Sequence, residues 1–159
     1  MTAITDFLPQ FASSLPEAHA LLRSANLMVH SIVSGITLHG SRGPANHPRP
    51  DSDIDLSLIV TLPAYSEIDA ALLQQVFTTT MDHWNSRMEP DLAVIFDTRS
   101  CGLKCFEQTQ WDENFCTIGR VDCFGLYKKQ KGFNGLVTDA GIQVKLMYPC
   151  LKIWERSQE

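Results

Sequence analysis

The sequence predicts a single α/β (α+β) domain, and three observations carry the prediction. Apolar residues recur at helical spacing in two stretches, three short runs rich in Ile, Leu and Val read as strands, and the order along the chain is helix, strand, strand, helix, strand. The chain has 159 residues, 44% of them apolar, which is enough for one core of ordinary proportions. No repeat, low-complexity tract or linker divides it, so residues 1–159 are expected to form one domain.

The first helix is expected to start at Ser14-Leu15-Pro16-Glu17, where a Ser cap, an early proline and a Glu three residues after Ser coincide. Leu21, Leu22, Ala25, Met28, Val29 and Ile32 continue at helical spacing, and Gly35 is a plausible stop. Ile36-Thr37-Leu38-His39 is a short apolar strand that runs straight into Gly40-Ser41. A loop rich in Pro, Gly and Asn spans Arg42 to Ser52, and a strand from Asp53 to Val60 follows with strict alternation at its start. With no helix in that loop, the two strands are expected to pair antiparallel, because parallel neighbours need a longer crossover.

Ser66 and Asp69 announce the second helix, which carries Ile68, Leu72, Leu73, Val76, Phe77 and Trp84 on its apolar face. Pro90 breaks the chain before a third strand, Asp91 to Phe96. Further on the pattern weakens. Asn134-Gly135 and Asp139-Ala140-Gly141 read as turns, Ile142–Tyr148 and Leu151–Trp154 as strands. Lys128, Lys129 and Lys131 read as a solvated turn before a basic surface for an anionic acceptor, and Trp84, Trp111 and Trp154 as core before a platform for a base.

Charge and cysteines narrow the class. A net charge of −5 argues against general binding of duplex DNA, which calls for an excess of Lys and Arg. Residues 1–98 hold four basic and eleven acidic side chains, residues 99–159 nine and seven. Such a split fits a metal site beside a surface for an anionic substrate, and equally fits ordinary solvated faces. Met1 to Pro16 contains no Lys or Arg and no sustained apolar core, and no apolar run is long enough to span a bilayer. Cys101, Cys105, Cys116, Cys123 and Cys150 are odd in number and form no CxxC pair. Reduced thiols, a cytoplasmic location and no membrane contact are therefore the expectation.

The chemistry gathers between the first two strands. Side chains at i and i+2 of a strand share a face, so Asp53, Asp55 and Ser57 project together, and Ile54, Leu56 and Leu58 project to the other side. Paired carboxylates repel unless a cation lies between them, and hard oxygen donors suit Mg²⁺, with Mn²⁺ as a substitute. Gly40, directly after a strand, lets backbone N–H groups approach a phosphate, and Ser41 adds a hydroxyl donor. Arg42 is expected to add positive charge against the terminal phosphates of a nucleotide. Alone, Gly-Ser is commonly a turn and Asp-x-Asp a solvent-facing strand start. The informative feature is their combination. His39 and His47 flank the site, and lone histidines of this kind are more often structural or solvent-facing.

The run His39-Gly40-Ser41-Arg42-Gly43, with Pro50-Asp51-Ser52-Asp53-Ile54-Asp55-Leu56, resembles the signature of the DNA polymerase β-like nucleotidyltransferase superfamily, in particular its minimal stand-alone domains. Eleven residues separate Ser41 from Asp53, inside the spacing of that pattern. The resemblance covers about residues 14–97. It departs from the common Gly-Ser-Arg-Ala-Arg-Gly form in lacking the second arginine, Arg49 being the nearest replacement. The resemblance implies a nucleotidyltransferase fold with a mixed sheet flanked by helices, here with extra C-terminal strands. It also implies a third carboxylate on a neighbouring strand. Asp91 is preferred over Asp97 because it opens the third strand, and six residues along a strand is about 20 Å, too far for both to serve one site.

Asp53, Asp55 and Asp91 are thus the expected catalytic and metal-holding residues, and Gly40, Ser41 and Arg42 the expected nucleotide-binding ones. The activity implied is Mg²⁺-dependent transfer of a nucleoside monophosphate from a nucleoside triphosphate, such as ATP, to a hydroxyl-bearing acceptor. The competing reading is a regulatory, antitoxin-type module, or an inactive triphosphate-binding protein, paired with a separate small helical partner protein.

Overall fold

The computed structural model describes residues 1–61, 69–97, 101, 103–116, 124–130, 133–142 and 147–157, with backbone alone for 126–130 and 133–142. A strand β1 (Thr2–Ala3) leads to helices α1 (Pro9–Ser14) and α2 (Pro16–Arg23), then to β2 (Met28–Val29), β3 (Val33–His39) and β4 (Ile54–Thr61). Helix α3 (Ala70–His83), β5 (Pro90–Asp97), β6 (Phe124–Gln130), β7 (Phe133–Ile142) and β8 (Leu151–Glu155) complete the order. Among the described residues the main sheet has six strands in the order β7-β6-β5-β4-β3-β8, and β1 pairs with β2 in a small second sheet. The fold class is mixed α+β, as the residue pattern predicts.

Alternation along β4 and β5 divides the sheet. Ile54, Leu56, Leu58 and Val60, with Leu92, Val94 and Phe96, turn to one face and join the larger core. Helices α1, α2 and α3 cover that face through Phe11, Leu15, Leu22, Leu73, Val76 and Phe77. Ile59 and Ile95 turn to the other face and pack with Cys105, Phe124 and Met147 under the Leu103–Phe115 segment. Helix α3 starts where expected, with Asp69 as its cap accepting from the Leu72 amide at 3.2 Å. Ser66 and Ile68 lie outside the described residues.

Strands β3 and β4 pair antiparallel, as their short connection requires, whereas β4 and β5 are parallel with α3 as the crossover. Several expectations are corrected. The first helix ends at Arg23 instead of running to Ile32, because Asn26 takes a left-handed conformation (φ 55°) that no helix accommodates. Met28 and Val29 therefore form β2, and Gly35 lies inside β3, where it pairs with Ile59 and Glu155. Ser14 closes α1, and Leu15, not Ser14, precedes the first turn of α2.

Beyond Thr98 the reading from sequence is least accurate. Asn134-Gly135 and Asp139-Ala140-Gly141 lie within β7, and Lys128 and Lys129 within β6. Pairing with β5 and with each other makes strands of segments whose composition suggests turns, since strand formation depends on cross-strand neighbours more than on local preference. Ile142 ends β7, and the rest of the strand expected up to Tyr148 is only partly described, with Met147 and Tyr148 outside any strand. Strand β8 matches the expected Leu151–Trp154 and adds Glu155. Trp154 is buried in the larger core; Trp84 and Trp111 are partly buried against the two cores.

Candidate functional site

The site sits at one end of the sheet, on the face away from the helices. Strand β3 delivers His39 and the Gly40-Ser41 turn; β4, running the other way, begins beside them. His39 is the register partner of Asp55. Asp55 is in turn the partner of Asp91 on the parallel neighbour β5. The i, i+2 rule then aligns Thr37 with Ser57, and His39 with Asp55 and Asp91, across three adjacent strands. Both Asp55 and Asp91 are half-buried, while Asp53 is exposed and immediately precedes β4.

Gly40 is where the turn meets the carboxylate. Its φ is +70°, and a Cβ added there would overlap Asp55 Oδ2 and lie 3.0 Å from its Cγ. Only glycine serves both demands, left-handed backbone and near-contact with a carboxylate. Gly43 answers a second steric demand, since a Cβ there would lie 2.8 Å from the His39 carbonyl. The turn is closed by Gly43 N–H donating to the Gly40 carbonyl at 3.0 Å and His47 N–H donating to that of Ser41 at 3.0 Å.

His39 is a tether. Nδ1–H donates to the Met147 carbonyl at 2.8 Å, so Nε2 is left as the acceptor for the Thr37 hydroxyl at 2.7 Å. Burial holds the imidazole below its ordinary value, partly opposed by the bond to Met147. The ring is therefore a neutral brace between β3 and the segment entering β8. Only the presence of His39 hinted at this in the sequence; its partner, 108 residues away, left no local signal. His47 is exposed.

Arg42 is turned toward the loop that leads to Asp53. It is 7% exposed, and its guanidinium donates to the Ser52 carbonyl at 2.9 Å and to those of Arg49 and Pro50 at 3.3 and 3.4 Å. Asp97 pairs with Thr61 at the opposite end of the strands, far from Asp55. Beside Asp53 a cleft of about 550 Å³ opens between the Pro50–Asp53 turn and Ser86–Glu89. Another cleft, about 390 Å³, lies at the far end of the face that carries Asp55 and Asp91, with Asp97, Lys104 and Lys152 on its walls.

Among the described residues no three His, Cys, Asp or Glu side chains converge on a point that could hold a metal ion. The donor chemistry nevertheless fits a hard cation, because Asp55 and Asp91 are carboxylates abreast on paired strands and Asp53 precedes Asp55 by two residues. No helix among the described residues is long and apolar enough to cross a membrane. Among the described residues Cys101, Cys105, Cys116 and Cys150 form no disulfide.

Comparison with family models, with curated proteins and with solved structures finds no match to this chain.

Proposed function

We propose that this protein is a nucleotidyltransferase that moves a nucleoside monophosphate from a nucleoside triphosphate to an acceptor hydroxyl. One observation carries the reading: the Gly40-Ser41 turn is packed so closely on Asp55 that a side chain at position 40 would overlap its carboxylate. A phosphate cradle and an acidic strand start, separated by eleven residues in sequence, thus form one surface, with Asp91 in register beside it. The motif resemblance supplies the reaction class.

In this reading Gly40 and Ser41 hold the phosphates through backbone N–H groups and the Ser41 hydroxyl. The cleft beside Asp53 has the size of a small-ligand site and accommodates part of the substrate. Asp53, Asp55 and Asp91 would hold Mg²⁺, which when bound supplies charge neutralisation along the triphosphate and a lowered pKa for the acceptor hydroxyl. Where it is not itself bound to the metal, the Asp91 carboxylate accepts the hydroxyl proton. The acceptor oxygen bonds to the α-phosphorus, the bond to the bridging oxygen breaks, and pyrophosphate leaves with that electron pair. The buried faces of β4 and β5 fix Asp55 and Asp91 against movement during this exchange.

Thermal melts with Mg²⁺, with a triphosphate and with both, followed by an α-labelled triphosphate assay on cell lysate, test the reading. The expected result is a modest shift with metal alone, a larger synergistic shift with both ligands and label transferred to an acceptor. Additive shifts would remove the shared site. Synergy without transfer to any acceptor offered would favour the regulatory module.

A further inference from the structure

The sequence assigns Arg42 to phosphate, but its surroundings suit another task. The guanidinium is a planar fork of five donors, and here it is turned inward against the loop that ends at Asp53. Nε donates to the Ser52 carbonyl and one terminal nitrogen to those of Arg49 and Pro50, while the other lies 3.8 Å from the exposed Glu17 carboxylate. These carbonyls belong to a self-closed turn. The Ser52 amide donates to the Arg49 carbonyl at 3.0 Å, and the Arg49 amide donates to the Ser52 hydroxyl at 2.8 Å. Asp53 follows at once, and the next amide, Ile54, donates to the Glu89 carbonyl at 3.0 Å. Asp53 is therefore suspended between two anchors, the turn gripped by Arg42 and the bond from Ile54 to Glu89, the residue before β5.

We propose that Arg42 is a positioning residue that fixes Asp53 relative to the Gly40-Ser41 turn, and does not itself contact phosphate. The inference rests on the nucleotidyltransferase reading for what Asp53 does. Arg42 directly follows Ser41, so its grip on residues 49, 50 and 52 spans the loop between phosphate turn and carboxylate. To reach a phosphate the side chain would have to surrender three carbonyl partners from a buried position, leaving those groups to find others. A lysine cannot substitute, because an ammonium is a point charge without the flat geometry needed to span several carbonyls.

The test compares wild type, Arg42→Lys and Arg42→Ala, all ligand-free, by amide hydrogen exchange and by Mn²⁺ titration without nucleotide. In wild type the Ser52 and Ile54 amides should be protected. Arg42→Lys should speed their exchange, leave β3 and α3 protected, and weaken Mn²⁺ binding about tenfold, as loss of a supporting residue does. A merely structural role would lower the melting temperature without moving Mn²⁺ affinity at 20 °C, and that result overturns the proposal. So does unchanged exchange and Mn²⁺ affinity combined with weakened triphosphate binding, the signature of a direct phosphate contact. Should Arg42→Ala fail to fold, the wild-type exchange still decides, because an unprotected Ser52 amide excludes the clamp. A protected, Arg42-dependent turn in a wild type that binds no Mn²⁺ would instead overturn the nucleotidyltransferase reading, and the positioning role with it.

Discussion

Asp91 and Asp97 lie on one strand and, by parity, on one face, yet their surroundings differ in kind. Asp91 is abreast of Asp55, a second carboxylate, near the turn at Gly40. Asp97 is abreast of Thr61, and the cleft it lines also presents Lys104, Lys152 and Arg156. Among the described residues, one end of the face thus sets two carboxylates abreast and the other end mixes both signs. Between them Ile59 and Ile95 fill the face with apolar packing. Residue type does not separate the two acids; their place in the ladder does.

The largest expected effect breaks this comparison directly. Asp55→Asn or Asp91→Asn should lower nucleotide transfer by about a hundred- to ten-thousandfold, the range for loss of a catalytic acid or base. Asp97→Asn should leave transfer within about twofold, read in the α-labelled triphosphate assay. A deficit in Asp97→Asn with none in Asp91→Asn would exchange the roles of the two ends.

Gly40→Ala comes next. Left-handed backbone and overlap with Asp55 should together cost about 2 kcal/mol in denaturant unfolding and remove the synergy between Mg²⁺ and triphosphate. Gly35→Ala serves as the control, because a Cβ there meets only the Trp154 carbonyl at 3.5 Å, an ordinary contact.

At the far end, Lys152 lies 2.5 Å from Glu107 and 2.9 Å from Glu155. Burial alone would lower its pKa, but hydrogen bonds and charge from the two glutamates outweigh that and raise it. A raised amine contributes stability that is complete below its unfolded value of 10.5 and is lost as pH climbs through the higher folded value. Lys152→Met should cost at most about 1 kcal/mol at pH 8, as expected for a pair with exposed partners, and should flatten the alkaline loss. Denaturant midpoints from pH 8 to 11 measure both.

The smallest effect concerns the thiols. Burial pushes Cys150 up to about 12, so iodoacetamide at pH 8 should spare it in the native protein and label the exposed Cys101 first. Peptide mass spectrometry reads the order, and early labelling of Cys150 would show that the Met147–Leu151 segment opens locally.

Local signals disclosed the parts of this fold that local forces decide. The Asp69 cap, the alternation in β4 and the shortness of the Arg42–Ser52 loop were each legible because each acts within a few residues. That a further carboxylate would stand on a strand beside Asp55 came from the family resemblance, and the register of β4 with β5 places Asp91 there. What escaped depends on distant partners: β6 exists because β5 and β7 pair with it, and the His39 ring is fixed by Met147. Arg42 was legible as a site residue, but not its partners. Its neighbour Ser41 suggested phosphate, and only the fold reveals the carbonyls that occupy its donors. The early helix was overextended because apolar spacing continued past Asn26, where backbone conformation ended the helix regardless.

The pairing of β8 with β3 has a consequence for how the chain is made. Gly35 to Leu38 find their outer partners only among Leu151 to Glu155. At ribosomal rates of about 5–20 residues per second, roughly ten seconds separate the synthesis of these two segments. Throughout that interval one edge of the Ile36–Leu38 backbone has no strand to bond, and an open apolar edge invites pairing with a neighbouring chain. The exposure of this edge lasts until Leu151–Glu155 emerge, and a chain halted before Leu151 would keep it open.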